Sequence, residues 1–303
     1  EVMSIDKSIE GALMKAARSL EQGLTSLSLK SLKNDNIKVL KERIKKATDE
    51  RFFAVAEALR RKVSIDEIHN LSKIDKFFLE KIQNIIHMEE RLKEGLLTTE
   101  LLKAAKSMQF PDKTIADLTG KKEEEIRNIR ALNHITPAYK SINTSPTNTS
   151  TSLPYFYSTY DDENEAVTDE KPSVVILGSG PIRIGQGIEF DYCSVHSVWA
   201  AQEAGYRTVN INNNPETVST DFNTADRLYF EPLYFEDVMA IIGREKPLGV
   251  IVQFGGQTAI NLAAALESQG VKILGTPVKS IDLAEDREKF DDLLTELSIS
   301  RPK

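Results

Sequence analysis

Residues 173–191 read SVVILGSGPIRIGQGIEFD, and this stretch decides the fold of the second half of the chain. The run 174–177 holds only β-branched residues and leucine, which is typical of a strand buried on both faces of a parallel sheet. It ends in a loop with glycines at 178, 180, 185 and 187. Glycines allow positive φ and bring backbone N–H groups close to an anion, and a helix that begins near Glu189 adds the positive end of its dipole. The residues alone therefore indicate a phosphate cradle.

The second half of the chain alternates between strand and helix patterns. We predict strands at 173–177, 208–212, 227–230, 249–253 and 272–274, and helices at 190–204, 235–244 and 258–268. This repetition predicts a doubly wound parallel sheet with ligands at the carboxyl ends of its strands. The candidate sites are then three loops, at 178–189, 212–221 and 253–258. We expect Glu189, Glu216 and Gln257 to project from these loops toward one crevice.

The first half of the chain reads as amphipathic helices. We predict them at 6–22, 35–47, 52–59, from 64 onward, 75–93, 100–108, 111–118 and 121–132, with apolar residues at helical spacing. Ser64 and Thr98 are predicted N-caps. His69 and His87 have no second ligand at metal-binding spacing, so both are interpreted as structural. The result is an all-α domain without visible chemistry, in which the aromatic pairs 52–53 and 77–78 form core, or core plus a partner surface.

Composition excludes several classes of protein. The chain has 303 residues, 40% of them hydrophobic, and a net charge of −7. Residues 1–150 hold 27 basic and 22 acidic residues, against 12 and 24 in the remainder, and no aromatic pattern accompanies the lysines, so a nucleic-acid surface is not favoured. No apolar run is long enough to span a membrane, and no signal peptide is recognisable. Cys193 is the only cysteine, which favours a reducing cytoplasm and excludes an internal disulfide.

A Rossmann-type dinucleotide-binding protein with a helical assembly domain is the alternative interpretation. The loop departs from the dinucleotide fingerprint because Arg183 stands where the third glycine belongs and Pro181 lies inside the loop. The second strand also runs into three asparagines at 212–214, where an acid would hold the adenine ribose. NAD(P) binding is therefore a weaker prediction.

The two halves are separated by a change in composition. Residues 141–152, SINTSPTNTSTS, are rich in Ser, Thr and Asn and predict an exposed loop. The segment 154–160, PYFYSTY, is too aromatic for a free linker and is expected to pack against one of the domains. An acidic stretch follows at 161–172. We place the domain boundary just before Ser173.

Five motifs, in order, resemble the large subunit of bacterial-type carbamoyl-phosphate synthetase. They are GSGPIRIGQGIEFDYC, NNNPETVSTD, DRLYFEP, VQFGGQT and AEDREKF. The resemblance implies a central part of that subunit, an all-α helical domain followed by a Rossmann-like α/β domain. The implied divisions are a helical oligomerisation domain (1–150), a linker (151–172), a pre-ATP-grasp domain (173–285) and the start of the next ATP-grasp unit (286–303). One departure is that Lys140 is followed by SINTSPTNTSTS, where the family carries a more charged segment.

The resemblance also implies a reaction and a set of residues. The family converts two ATP, bicarbonate and glutamine-derived ammonia to carbamoyl phosphate, and carbamate crosses a protein tunnel. By similarity, Gly187, Glu189, Glu216 and Glu1 are tunnel-lining residues, and Arg287 approaches the ATP phosphates. No catalytic or metal-binding residue is implied within these 303 residues, so the isolated chain is expected to be inactive.

Cofactors and partners follow from the same resemblance. The complete enzyme is expected to use ATP with Mg²⁺ or Mn²⁺ and K⁺, none of which this span is expected to bind. The partners implied are a glutaminase subunit and further copies of the chain through the helical domain, in the cytoplasm, without nucleic acid or membrane. Arginine and pyrimidine supply are not distinguished by these residues.

Overall fold

The protein is described from a computed structural model, which covers residues 2–142, 154–161, 163–167, 170–181 and 188–301. The chain divides into two compact units. The helical unit comprises Val2–Ser141 and Tyr157–Ala166, and the α/β unit comprises Ile142–Phe156 and Val167–Lys303. This division into two units does not test the predicted domain bounds, which remain predictions: 1–150, 151–172, 173–285 and 286–303.

Eight α-helices and one short strand are described in the helical unit. They are α1 (Ile9–Ser19), α2 (Ile37–Lys45), α3 (Arg51–Arg60), α4 (Ile65–Ser72), α5 (Lys76–Glu94), α6 (Thr99–Ser107), α7 (Asp112–Thr119), α8 (Glu123–Leu132) and β1 (Ala138–Ser141). Ser64 and Thr98 accept bonds from the N–H groups of Glu67 and Leu101, as predicted. Helix α1 begins three residues later than predicted because Ser8, and not Asp6, caps it.

One apolar core holds the helical unit together. Fully buried members include Met14, Leu40, Val55, Ile68, Leu79, Ile85, Leu102, Phe110 and Ile115. Phe77 and Phe78, predicted as core or as core plus a partner surface, are 49% and 50% exposed and so are not core alone. They lie in the first turn of the helix, before its buried stripe begins at Leu79. His69 is structural, with its Nδ1 2.7 Å from the carbonyl oxygen of Ile74.

The aromatic segment after the Ser/Thr-rich stretch forms a strand that the sequence patterns did not predict, β2 (Tyr155–Thr159). Its first half belongs to the α/β unit, where the carbonyl oxygens of Pro154 and Phe156 accept bonds of 2.8 Å from Leu228 and Phe230. Its second half belongs to the helical unit, where the carbonyl oxygen of Ser158 accepts a 2.8 Å bond from the buried Nζ of Lys15. The expectation that this segment packs against a domain is therefore confirmed.

The α/β unit alternates strands and helices as predicted. The elements are β3 (Ser173–Leu177), α9 (Glu189–Glu203), β4 (Arg207–Ile211), β5 (Arg227–Tyr229), α10 (Phe235–Glu245), β6 (Val250–Ile251), α11 (Gly256–Ser268), β7 (Ile273–Leu274), α12 (Val278–Glu285) and α13 (Arg287–Glu296). Within this unit the strands follow the order β2-β5-β4-β3-β6-β7, and the pairs are parallel. All five residues of β3 are buried, in agreement with a central strand. Helices α12 and α13 were not predicted.

A buried ion cluster lies at the end of α10. The carboxylate of Glu245 is 3.0 Å from Arg207 and 2.8 Å from Arg227, and it accepts a bond from the hydroxyl of Tyr229. Burial, reinforced by Glu245, raises the pKa of Tyr229 far above its usual range. The cluster ties the start of β4 and the strand β5 to α10.

Candidate functional site

Three loops at the carboxyl edge of the sheet meet through glycine backbone. A Cβ atom on Gly178 would lie 2.5 Å from Cγ of Asn212, and one on Gly255 would lie 2.4 Å from the carbonyl oxygen of Gly178. Side chains larger than hydrogen do not fit at either position. The loops after β3, β4 and β6, which the sequence predicted as the candidate sites, therefore do converge.

The side chain of Asn212 organises two of these loops. Its Oδ1 accepts bonds from the N–H groups of Gly180 at 3.1 Å and Asn214 at 3.3 Å, while its Nδ2 donates to Oγ of Ser219 at 3.0 Å. The N–H of Gly180 is one of the groups that a phosphate cradle would use. Because Asn212 already accepts from it, the described part of the loop is arranged as a self-supporting turn.

Asp191 joins the beginning of α9 to the loop after β4. Both of its carboxylate oxygens accept from the backbone N–H of Ser219, at 3.4 and 3.3 Å. Ser219 lies in the short 3₁₀ helix Val218–Thr220, and its carbonyl oxygen accepts a 2.7 Å bond from Nδ2 of Asn210. This clamp fixes the polar loop against the helix that starts at Glu189.

Tyr155 fixes the other end of the same 3₁₀ helix. Its hydroxyl donates to the carbonyl oxygen of Thr220. Burial, with a smaller contribution from the charge of Asp221, raises the pKa of Tyr155 to about 12. The phenol is therefore neutral at physiological pH and remains a hydrogen-bond donor.

The predicted site residues are placed as follows. Glu189 is the first residue of α9 and is exposed, and Glu216 is exposed in the loop that Asp191 clamps to that helix. The N–H of Glu216 donates to Oδ1 of Asn214 at 3.2 Å. Glu1 and Gly187 lie outside the described residues.

Two further residues that the sequence singled out are Arg287 and Gln257. Arg287 is exposed at the start of α13 and belongs to none of the three loops. Gln257 donates to Oδ1 of Asn261 at 2.9 Å, one turn along its own helix, and its approach to the two glutamates stays a prediction. An i,i+4 amide pair on a helix surface satisfies it locally.

Sequence reasoning did not find the residues that hold the loops together. Asn212 was noted only as the replacement for a ribose-binding acid, and Asp191 was not singled out. The signal for Asp191 is weak, because an acid in the first turn of a helix is already explained by the helix dipole. Its contact with Ser219 joins positions 28 residues apart.

The described residues contain no group of three or more His, Cys, Asp or Glu side chains placed to hold a metal ion. Over the same residues, no helix is both long and apolar enough to cross a membrane.

Two family models match this chain. The model of the carbamoyl phosphate synthase preATP-grasp domain matches residues 170–283, and the model of the carbamoyl-phosphate synthetase large chain oligomerisation domain matches residues 1–134. The chain belongs to the carbamoyl-phosphate synthetase large-chain family. The α/β unit carries the preATP-grasp match and the helical unit the oligomerisation match, so the predicted fold class, helical domain followed by doubly wound sheet, is confirmed.

The loop after β3 lies within the preATP-grasp match, so its glycines do not need dinucleotide binding to explain them. In this carbamoyl-phosphate synthetase large-chain segment the second strand runs into Asn212, which bonds the glycine loop itself. An acid that would bind ribose is absent from this position. The oligomerisation match suggests that the helical unit self-associates.

Proposed function

We propose that this chain serves in glutamine-dependent synthesis of carbamoyl phosphate, as part of the large subunit. The reaction would consume two ATP, bicarbonate and ammonia released from glutamine by a separate glutaminase subunit. Two different large-chain domain matches in one polypeptide support this assignment. The proposal places the protein among ATP-dependent ligases of the cytoplasm.

The carboxyl edge of the α/β unit is the proposed carbamate path, and the Asp191–Ser219 clamp is the observation that carries it. The clamp holds the loop of Glu216 against the helix that begins with Glu189. Close glycine packing at Gly178 and Gly255 leaves no room for side chains between the loops. Carbamate decomposes in water, so its path must be narrow and poor in water. We assign Glu189, Glu216, Gly187 and Glu1 to the wall of this path.

The remaining assignments concern the ATP and the metal ions that the complete enzyme is expected to bind. Arg287 is proposed to approach the phosphates of ATP, with Mg²⁺ or Mn²⁺ and K⁺ as the ions of the complete enzyme. The described residues offer no clustered ligand set for such an ion. The ions and the remainder of the nucleotide site are proposed to belong to other parts of the complete enzyme.

The tunnel assignment is tested with Glu216→Gln and Glu189→Gln in the complete enzyme. We expect bicarbonate-dependent ATP hydrolysis to continue while formation of carbamoyl phosphate falls, because carbamate would be lost before the second phosphorylation. The ratio of ATP hydrolysed to product formed is the measurement. Glu267→Gln, on the exposed surface of α11, is the matched control. An unchanged ratio in both variants would remove these glutamates from the path.

The isolated 303-residue chain is proposed to form no carbamoyl phosphate. Purified chain supplied with ATP, Mg²⁺, bicarbonate and ammonia tests this directly. Product above the level of a heat-inactivated sample would show that these residues contain a complete phosphorylation site.

A further inference from the structure

Tyr155 lies in the segment that the sequence assigned to a linker, yet its hydroxyl reaches the loop that carries Glu216. It donates a hydrogen bond to the carbonyl oxygen of Thr220. Thr220 is the last residue of the 3₁₀ helix Val218–Thr220, whose first residue comes two positions after Glu216. The predicted linker therefore supplies a side chain to the carboxyl edge of the sheet.

The sheet fixes the position of Tyr155. Strand β2 pairs in parallel with β5, where Tyr155 lies opposite Leu228, and the carbonyl oxygen of Tyr155 accepts a 2.9 Å bond from the N–H of Ile142. The next side chain, Phe156, is buried, with its ring centroid 5.6 Å from that of Tyr229. Because successive side chains of a strand point to opposite faces, burial of Phe156 on one face directs Tyr155 to the other.

The carbonyl group that accepts from Tyr155 belongs to a buried residue. Thr220 is 6% exposed, and within the described part of the chain the hydroxyl of Tyr155 is the donor to its carbonyl oxygen. A buried backbone carbonyl needs a hydrogen-bond donor. Without the hydroxyl, this carbonyl would find a donor in water only if the end of the 3₁₀ helix moved outward.

Such a movement would reach Glu216 through very little chain. Thr217 alone separates Glu216 from the 3₁₀ helix, and Pro215, on the other side, has a fixed φ. The N–H of Glu216 donates to Oδ1 of Asn214 at 3.2 Å. The position of the carboxylate therefore depends on Asn214 at one end of the loop and on the 3₁₀ helix at the other.

We propose that Tyr155 is a positioning residue for the carbamate path, because its bond to Thr220 holds the loop that carries Glu216. The inference rests on the proposed function, which assigns Glu216 to the wall of that path. Tyr155 acts through the loop and needs no contact with carbamate. Loss of its hydroxyl should loosen the loop and admit water to the path, while phosphorylation of bicarbonate continues.

Tyr155→Phe in the complete enzyme removes the hydroxyl and keeps the ring. Loss of one hydrogen bond should raise the open population of the loop about two- to tenfold, so we expect the ATP hydrolysed per carbamoyl phosphate at least to double. Unfolded enzyme carries out neither reaction, so a loss of stability alone lowers both rates and leaves this ratio unchanged. Tyr206→Phe, at the opposite end of β4, is the matched control and should keep the ratio.

Hydrogen–deuterium exchange of the peptide 212–221, measured on the same enzymes, tests the positioning itself. Tyr155→Phe should speed exchange in this peptide about two- to tenfold, since local opening then breaks one bond fewer. Tyr206→Phe should leave the exchange of this peptide unchanged.

The double variant Tyr155→Phe with Glu216→Gln tests whether Tyr155 acts through Glu216. If it does, the double variant should have the ratio of Glu216→Gln alone, because residues that act through one another are not additive. A further rise of the ratio in the double variant would contradict the proposed route.

Two other outcomes would overturn the proposal. One is unchanged exchange in Tyr155→Phe, which would show that the bond does not hold the loop. The other is an unchanged ratio in Tyr155→Phe when Glu216→Gln raises it. If Glu216→Gln itself leaves the ratio unchanged, the proposed carbamate path fails, and the role of Tyr155 in it fails too, even where faster exchange shows that Tyr155 holds the loop.

Discussion

Glu245 carries the charge at the centre of the buried ion cluster in the α/β unit. Its carboxylate is the shared partner of Arg207, Arg227 and the hydroxyl of Tyr229, and all of these groups are largely buried. Removing one member of a buried charge cluster leaves the others desolvated without compensation. We expect Glu245→Gln to lower the free energy of unfolding by about 3 kcal/mol, measured by urea denaturation. Glu267→Gln, which is exposed, is the control, and equal losses in both would show that the cluster contributes little.

Tyr155 gives a second prediction at the residue scale, on pH. Its pKa is about 12 in the folded chain against an ordinary 10.0, so the unfolded chain releases the proton first as pH rises. The stability from this neutral phenol is complete below pH 10 and is lost as pH rises through about 12. Tyr155→Phe removes the hydroxyl, so the variant has no group at this position that ionises. The urea midpoints of the two proteins should therefore converge from pH 10 to 12, and a constant difference would contradict the assignment.

At the scale of elements, two glycines in the α/β unit should respond in opposite ways to the same change. A Cβ on Gly255 would meet the carbonyl oxygen of Gly178 at 2.4 Å, so Gly255→Ala must push the loops after β3 and β6 apart. A Cβ on Gly243, within α10, would meet nothing within 4 Å. We expect Gly255→Ala to destabilise by about 1–3 kcal/mol and Gly243→Ala to stabilise by up to about 1 kcal/mol.

Thermal denaturation of the two variants checks this pair. If Gly255→Ala melts at the temperature of the unaltered chain, the loops have more room than the structure gives them. Gly243→Ala also serves as the control for any general effect of adding a methyl group. The loop contact was not visible in the sequence, where both positions read only as glycine.

At the scale of the whole molecule, the helical unit needs residues beyond its last helix. Ser158 accepts from the buried Lys15 and from Gln109, and the backbone N–H of Glu165 donates to the carbonyl oxygen of Tyr139 at 2.8 Å. A chain ending at residue 141 leaves the ammonium of Lys15 without the oxygen of Ser158. We expect residues 2–166 to be more stable than residues 2–141 by about 2 kcal/mol or more.

Circular dichroism melts of the two truncated chains test this prediction. Residues 2–153 are the control for length, since they add chain without adding the contacts of Ser158 and Glu165. Equal melting temperatures for all three would show that the helices hold the unit together unaided.

Most helices, and the alternation of strands and helices along the second half of the chain, were predictable because their signals are local. Apolar spacing and caps such as Ser64 set the helical unit, and the buried run 173–177 set the central strand. Strand β2 was missed because its five residues carry no two-residue alternation, and its pairing with β5 joins Tyr155 to Leu228, far along the chain. Helices α12 and α13 are largely exposed, so their apolar pattern is faint.

The sequence by itself determined the two kinds of unit, the three loops at the sheet edge and, through five ordered motifs, the family. Tertiary structure decided what the loops do with their polar groups. Asn212 turned out to bond the glycine loop, Asp191 to clamp Ser219, and Gln257 to turn toward Asn261. Periodicity fixes which element a side chain leaves from, but a hydrogen bond between loops depends on where the sheet brings them together. That placement exists only once β3, β4 and β6 are paired.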